Sequence, residues 1–217
     1  MMNTRLLYFY DALCGWCYGF SPQLKAFLAN HPNLDVEVLS GGMVRGDRIG
    51  PLSDMRSFLK EAYPKVEELS GVKFGEAYKN VLAEGDMILG SEEASRFLCA
   101  FKSILPDQQF NAAHALQQMI YHDGLEPVSK ASYEYVLDHS FPSNKEEILA
   151  AFEHPTSEQM MQEEFNLVER FGIGGFPSVV LEHKEQYFLM AKGYTTTETL
   201  EKVYNSILNA EDGDSDK

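Results

Sequence analysis

The fold is decided by the stretch LLYFYDALCGWC, which runs from Leu6 to Cys17. Its first five residues are apolar or aromatic and predict a buried β-strand. The residues after it predict a helix, because Phe20, Leu24 and Phe27 recur at helical spacing. A strand that leads into Cys14-Gly15-Trp16-Cys17 at the start of a helix is typical of a redox site.

The spacing of the two cysteines favours reversible chemistry over a structural role. A bond between Cys14 and Cys17 closes a loop of only four residues, which the chain-entropy model values at about 2 kcal/mol, less than a longer loop. We expect Cys14, just before the helix, to be exposed and to favour the thiolate, because its sulfur lies near unpaired backbone N–H groups. We expect Cys17, inside the first turn, to be more shielded.

Length, charge and hydropathy restrict the possible partners. The chain has 217 residues, 44% of them hydrophobic, and can build a sizeable core. Its net charge of −15 disfavours nucleic acid and anionic membranes as partners, since both repel an acidic protein. No run approaches the roughly 18 consecutive apolar residues of a membrane span, and the first residues show no secretory signal. We therefore expect a cytoplasmic protein.

The cysteine pair supplies only half of a metal site. A tetrahedral zinc centre takes four ligands, and Cys14 and Cys17 provide two. Cys99 stands alone, and the histidines are scattered without ligand spacing. We therefore expect neither a metal nor a cofactor, and we interpret Cys99 as a packing or semi-exposed thiol.

Hydrophobic periodicity divides the chain into three structured parts and a tail. Residues 1–40 form a β-α-β unit, and residues 41–155 carry a series of helical signals, one of which begins at Ser91. Residues 156–210 return with a helix, a glycine-rich loop, a strand pair and a final helix. An acidic tail, residues 211–217, is expected to be disordered. The strands and helices predicted outside residues 41–155 are 5–10, 18–29, 34–39, 156–171, 178–181, 187–190 and 197–208.

This order of elements resembles the DsbA-like branch of the thioredoxin fold. Asp11-x-x-Cys14-x-Trp16-Cys17-Tyr18 resembles the pattern of FrnE-like proteins, and residues 14–20 resemble a group of predicted bacterial protein-disulfide isomerases. The resemblance implies an α/β, thioredoxin-like fold with a large all-helical insertion. It also implies that Pro177 is a cis-proline facing the cysteines and that Phe176 helps to position the substrate backbone. Gly15 stands where the FrnE-like pattern has proline, so the redox potential does not carry over.

The cysteines predict a mixed-disulfide mechanism. Cys14 attacks a substrate disulfide and Cys17 resolves the intermediate, which leaves the enzyme oxidised and the substrate reduced; the reverse steps oxidise a substrate. Asp11, at the end of the strand, is a candidate to take the proton from Cys17. The alternative for Asp11 is a solvated turn residue. Trp16 is a candidate substrate contact, and its alternative is surface packing.

Three classes of function are open to this chain. The leading hypothesis is a thiol-disulfide oxidoreductase or isomerase acting on protein or small-molecule disulfides and dithiols, with glutathione or a thioredoxin-type protein as reductant. The second is a glutathione-linked enzyme of the kappa-class transferase or 2-hydroxychromene-2-carboxylate isomerase type, although those relatives usually carry serine at the position of Cys14. The third is a non-catalytic binding module, which has no need of a dithiol. In the redox hypothesis we expect residues 41–155 to form a lid that selects substrates.

Overall fold

The structure is a computed structural model that describes residues 4–84 and 87–213. Six strands and nine α-helices follow one another along these residues. The strands are β1 (Thr4–Tyr10), β2 (Asp35–Ser40), β3 (Gly50–Pro51), β4 (Ile88–Leu89), β5 (Ser178–His183) and β6 (Gln186–Lys192). The helices are α1 (Gly15–Asn30), α2 (Arg56–Ser70), α3 (Glu76–Glu84), α4 (Glu92–Ile104), α5 (Gln109–Tyr121), α6 (Lys130–Ser140), α7 (Lys145–Glu153), α8 (Thr156–Arg170) and α9 (Thr197–Gly213).

A four-stranded sheet in the order β2-β1-β5-β6 forms the centre of the molecule. β1 pairs with β2 in parallel and with β5 in antiparallel, and β5 and β6 form a hairpin. The predicted β-α-β unit and strand pair are thus confirmed. Helix α1 begins at Gly15, three residues before its predicted start, because the sulfur of Cys14 caps it by accepting the N–H of Cys17.

Both faces of β1 are buried. Successive side chains of a strand point to opposite faces, so Leu6 and Tyr8 pack into the large core that includes α1, whereas Leu7 and Phe9 pack in a second cluster with Val168 of α8. A strand that is covered on both faces is held firmly in place. The redox motif, which follows β1 directly, is therefore attached to a strand that is buried on both faces.

The insertion is helical apart from one short ladder. Helices α2 to α7 lie between the end of β2 at Ser40 and the start of α8 at Thr156, and the two-residue strands β3 and β4 pair within it. Phe97 and Phe152 of the insertion belong to the same buried cluster as Tyr8. The insertion therefore packs onto the redox part through a shared core, and the division into parts at residues 40/41 and 155/156 stays a prediction.

The final helix continues past its predicted end. Helix α9 runs to Gly213, so the first three residues of the predicted tail, 211–217, are helical rather than disordered. The acidic composition that suggested a tail does not prevent an established helix from adding further backbone hydrogen bonds. Residues 214–217 lie outside the described residues.

Side chains, rather than another strand, close the outer edge of β2. The Val38 N–H donates to Gln109 Oε1 at 2.8 Å, and the Lys102 ammonium donates to the Val38 carbonyl at 2.6 Å. Lys102 also pairs with Glu164, whose other carboxylate oxygen accepts the Ser40 N–H at 2.8 Å. An uncovered edge strand invites pairing with another chain, and these contacts remove that possibility. They also fix Ser40, the last residue before the loop that reaches the cysteines.

Candidate active site

Asp11 is fully buried at the end of β1 and joins the redox loop to the insertion. Its carboxylate accepts the N–H groups of Leu13 at 2.9 Å and Met43 at 2.7 Å, and the hydroxyl of Ser91 at 2.8 Å. Burial raises the pKa of Asp11, and these hydrogen bonds, which stabilise the carboxylate, oppose that shift. Asp11 is therefore not a solvated turn residue.

The Ser91 side chain hydrogen-bonds to Asp11 instead of capping a helix. Helix α4 begins at Glu92, but the Ser91 side chain caps none of its N–H groups. Its hydroxyl donates to Asp11 and accepts the Val44 N–H at 3.0 Å. Serine is common at helix starts because its hydroxyl bonds to nearby backbone N–H groups. Here the hydroxyl bonds instead to Asp11, 80 residues away in the sequence.

Cys14 is held at the N-terminus of α1 by its own backbone and sulfur. Its backbone is extended, with φ −89° and ψ 103°, and its sulfur accepts the Cys17 N–H at 3.2 Å. The Cys14 N–H donates to the Asp11 carbonyl at 3.1 Å, which links the motif to the end of β1. The two thiols are not bonded to each other.

The expectation that Cys14 is exposed is wrong. Only 5% of Cys14 is exposed, and 0% of Cys17, so Cys17 is the more shielded of the two, as its place in the first turn predicts. The Cys14 thiol donates to the carbonyl oxygen of Phe176 at 3.4 Å. Phe176, which covers Cys14, lies 162 residues further along the chain. The sequence pattern around the motif therefore cannot predict that Cys14 is buried.

Cys17 is a thiol rather than a thiolate at neutral pH. Burial raises the pKa of Cys17 well above its ordinary value, and the hydrogen bond and charge of Cys14 raise it further. Any reaction that uses the Cys17 sulfur as a nucleophile therefore requires a group that takes its proton or stabilises its negative charge.

The loop before β5 reaches the cysteines. The Phe176–Pro177 peptide bond is cis, Pro177 is buried and Phe176 is half-buried. The ring of Phe176 lies against Gly41, where an added Cβ would be 1.9 Å from the ring Cζ. Gly41, the first residue after β2, therefore leaves room for this ring.

A cavity of about 190 Å³ opens beside Cys14. Cys14, Trp16 and Phe176 form one part of its wall, and Met55 and Phe58 of the insertion form another. Among the described residues that line the cavity, none carries a charge. Phe58 is 64% exposed, so the apolar wall extends to the surface of the molecule. The lining residues are Leu13, Cys14, Gly15, Trp16, Met43, Val44, Met55, Phe58, Leu59, Ala62, Tyr63, Val66, Phe74, Tyr78, Leu89, Ile120, Tyr121 and Phe176.

A second, larger depression lies away from the cysteines. It has a volume of about 1210 Å³ and follows β2 and the end of α1, with charged side chains such as Lys25, Glu37 and Glu163 in its wall. None of the residues that the sequence predicts for the site lines it. The smaller apolar cavity is therefore the one next to the chemistry.

Cys99 packs in a different buried cluster from Cys14 and Cys17. It is fully buried and packs with Met161 and Phe165, and burial raises the pKa of its thiol. Within residues 4–84 and 87–210, no three His, Cys, Asp or Glu side chains come together as a metal site. No helix in those ranges is both long and apolar enough to cross a membrane.

The sequence interpretation missed the residues that the insertion contributes to the site. Met43 and Ser91 hold the Asp11 carboxylate, and Phe58 lines the cavity. One signal was available for Met43. The carboxyl ends of neighbouring parallel strands lie at one edge of the sheet, so the Gly41-Gly42 break after β2 had to lie near the loop after β1.

Known proteins share this architecture. A family model described as the DSBA-like thioredoxin domain matches residues 5–205. A proposed protein disulfide isomerase from Nitrosomonas europaea superposes with a TM-score of 0.85 at 23% identity, covering 96% of this chain and 98% of that one. The cytosolic disulfide reductase DsbM from Pseudomonas aeruginosa superposes with a TM-score of 0.73 at 24% identity, covering 86% of this chain and 89% of DsbM. The structure of DsbM with GSH superposes with a TM-score of 0.70 at 23% identity and the same coverage.

At these identities the structural likenesses establish the fold alone, and no curated protein shows a significant sequence match. The predicted thioredoxin-like fold with a helical insertion is confirmed. Because the family model spans nearly the whole sequence, the chain belongs to the family of DSBA-like thioredoxin domain proteins.

Proposed function

We propose that this protein is a thiol-disulfide oxidoreductase or isomerase whose redox-active dithiol is Cys14 and Cys17. One observation carries the proposal: the Cys14 sulfur lies between the Cys17 N–H and the Phe176 carbonyl, in the wall of an open apolar cavity. Membership of the family supports the same conclusion.

The proposed reaction transfers two electrons to a substrate disulfide. The Cys14 thiolate attacks one substrate sulfur, and the other leaves as a thiolate that takes up a proton. Cys17 then loses its proton and attacks the Cys14 sulfur, which breaks the mixed disulfide and releases the second substrate thiolate. The products are a reduced substrate and a Cys14–Cys17 disulfide. When a different substrate thiolate attacks the substrate sulfur of the mixed disulfide before Cys17 acts, a new substrate disulfide forms, Cys14 leaves as a thiolate, and the substrate is isomerised instead.

Asp11 is the proposed acceptor of the Cys17 proton. Its burial and raised pKa favour proton uptake, and its charge acts on the Cys17 thiol. Phe176 and Pro177 are proposed to position the substrate backbone beside Cys14, and Trp16 to contact the substrate from the cavity wall.

The cavity favours protein disulfides whose cysteine has an apolar neighbour. Glutathione carries two carboxylates and an ammonium group, and the described lining residues offer no opposite charge. The net charge of −15 also repels an anionic tripeptide. We assign to glutathione, or to a thioredoxin-type protein, the role of reductant from solution. The structure of DsbM with GSH supports glutathione as a thiol partner, and the cytosolic origin of DsbM supports a cytoplasmic location.

Mixed-disulfide trapping tests the assignment of the cysteines. A Cys17→Ser variant removes the resolving thiol and should accumulate covalent adducts with a protein that contains disulfides. A Cys14→Ser variant removes the nucleophile and should accumulate none. Adducts on Cys14→Ser in equal amount, or none on Cys17→Ser, would remove the basis for the mechanism and favour a binding module.

A matched pair of substitutions on α2 tests the substrate assignment. Phe58 and Leu69 are exposed to 64% and 62%, but only Phe58 lines the cavity. Phe58→Ser should slow the reduction of a peptide disulfide with apolar flanking residues by about five- to thirtyfold, because the substrate no longer buries that ring. Its reaction with oxidised glutathione, and both reactions of Leu69→Ser, should change less than twofold. Equal effects of the two substitutions would contradict the lid hypothesis.

A further inference from the structure

Two tyrosines of β1 bury their hydroxyl groups beneath the redox motif. Tyr8 and Tyr10 are each 1% exposed, and neither hydroxyl has a hydrogen-bond partner among the described residues. Leaving a buried polar group unpaired costs free energy, so most such groups in folded proteins have a partner. The two hydroxyls therefore require an explanation.

Tyr8 packs in the same buried cluster as Cys17. Its ring centroid is 6.0 Å from that of Phe20, and Phe20 is one turn after Cys17 on the same face of α1. Burial raises the pKa of Tyr8, and the charge and hydrogen-bonding capacity of Cys17 raise it further, although no aligned hydrogen bond joins the two side chains in this dithiol state. Tyr10 shares the strand, the face and an unpaired hydroxyl with Tyr8, and burial and the charge of Cys17 raise its pKa as well, but the hydrogen-bonding capacity of Cys17 acts on Tyr8.

The surroundings of Cys17 make its thiolate costly without a hydrogen-bond donor. The sulfur is fully buried, which penalises its charged form, and the Asp11 carboxylate repels negative charge on it until Asp11 takes up the Cys17 proton. The titratable groups that act on Cys17 are Cys14, Asp11, Tyr8, Tyr10 and Tyr121. Of these, Tyr8 and Tyr10 carry buried hydroxyls with no other partner, and Tyr8 is the one on which the hydrogen-bonding capacity of Cys17 acts.

We propose that Tyr8 is a further catalytic residue, whose hydroxyl donates a hydrogen bond to the Cys17 sulfur as that thiol is deprotonated and attacks the mixed disulfide. The inference rests on the proposed function. The Cys17 proton passes to Asp11 and from there to the departing substrate thiolate. The Cys17–Cys14 bond forms as the bond from Cys14 to the substrate breaks, and its electron pair leaves with the substrate sulfur. Tyr8 keeps its own proton throughout, because burial raises its pKa well above the ordinary value.

Rapid kinetics on Tyr8→Phe, with Tyr10→Phe as the matched control, test the proposal. Trp16 is the only tryptophan in the chain, so its fluorescence reports the state of the adjacent cysteines. Mixing the reduced protein with oxidised glutathione should give a concentration-dependent phase for mixed-disulfide formation and a concentration-independent phase for resolution. Tyr8→Phe should slow the resolution phase by about tenfold to a hundredfold, the usual loss when a charged group loses a hydrogen bond. Tyr10→Phe should change it less than twofold.

A second measurement does not depend on turnover. With cysteine labelled by ¹³C at Cβ, the chemical shift of Cys17 follows its ionisation, and its midpoint should lie at higher pH in Tyr8→Phe than in the wild type or in Tyr10→Phe. Neither variant should be less stable, because each removes an unpaired hydroxyl. Unchanged resolution and an unchanged Cys17 midpoint in Tyr8→Phe, or equal shifts in both variants, would overturn the assignment of Tyr8. A wild type that turns over no disulfide would refute the proposed function instead.

Discussion

Replacing Gly41 with alanine tests whether the Phe176 ring has to lie where the structure has it. A Cβ at Gly41 would be 1.9 Å from Cζ and 2.4 Å from Cε1 of Phe176. Ordinary contacts of a Cβ begin near 3.4 Å, so the ring has to retreat by about 1.5 Å. The backbone at Gly41 cannot easily retreat instead, because its N–H donates to the Tyr10 carbonyl at 2.8 Å.

The displaced ring should affect activity more than stability. Forcing a methyl group into a packed site costs about 1–3 kcal/mol of stability. Phe176 lines the cavity and its carbonyl accepts the Cys14 thiol, so a shift of this size disturbs the position in which a substrate meets the sulfur. Misplacement by about 1 Å near reacting atoms can reduce the rate by about a hundredfold. We expect kcat/KM of Gly41→Ala to fall by about tenfold to a hundredfold.

The assay is the reduction of a fluorescent peptide disulfide, with thermal unfolding measured alongside. Gly174→Ala is the matched control, because Gly174 lies in the same loop as Phe176 and a Cβ there meets no atom within 4 Å. Its turnover should stay within twofold of the wild type. A folded Gly41→Ala variant with wild-type turnover, or a Gly174→Ala variant that loses as much activity, would refute this view of Phe176.

Two further predictions concern charged side chains away from the cavity. Lys102→Met should lower the free energy of unfolding in urea by about 3–5 kcal/mol, because Glu164 is left buried without its cationic partner. Lys202→Met, which removes the exposed Lys202–Glu198 pair, should change the free energy of unfolding far less, and similar losses in the two variants would contradict the structural role of the buried pair. Because burial raises the pKa of Asp11, the folded protein protonates this carboxyl group at a higher pH than the unfolded chain does. The stability that protonation of Asp11 contributes is therefore fully present below the unfolded pKa of about 3.9 and is lost as the pH rises through the folded pKa. The stability of the wild type relative to Asp11→Asn should therefore improve as the pH is lowered from 7 towards 4, and a difference independent of pH would contradict it.

The elements that could be predicted from the sequence are those whose signals are local. The apolar run before the cysteines, the helical spacing after them and the turn between the last two strands each depend on residues a few positions apart. The order of these elements then restricts the fold to a β-α-β unit with a later hairpin, which the sheet order confirms.

The surroundings of the cysteines could not be predicted, because they depend on distant segments. Cys14 is covered by Phe176, and the Asp11 carboxylate is held by Met43 and Ser91, residues whose local signals indicate a loop or a helix start. The unpaired hydroxyl of Tyr8 gives no sequence signal either, since a tyrosine in a buried strand is ordinary. The packing of the insertion against β1 and α1 brings Met43 and Ser91 to Asp11, and the loop before β5 brings Phe176 to Cys14.

A titration of the protein in glutathione buffers, with the cysteines tagged by a maleimide and mapped by mass spectrometry, tests the central claim most directly. Cys14 and Cys17 should lose their tags together in a single two-electron transition, while Cys99 keeps one chemical state throughout. A midpoint near that of thioredoxin, about −270 mV, indicates a reductase, and a much higher one indicates an oxidant. If Cys14 and Cys17 keep their tags across the whole range, or only one of them reacts and remains a glutathione adduct, the pair is not a redox-active dithiol and the proposed function is wrong.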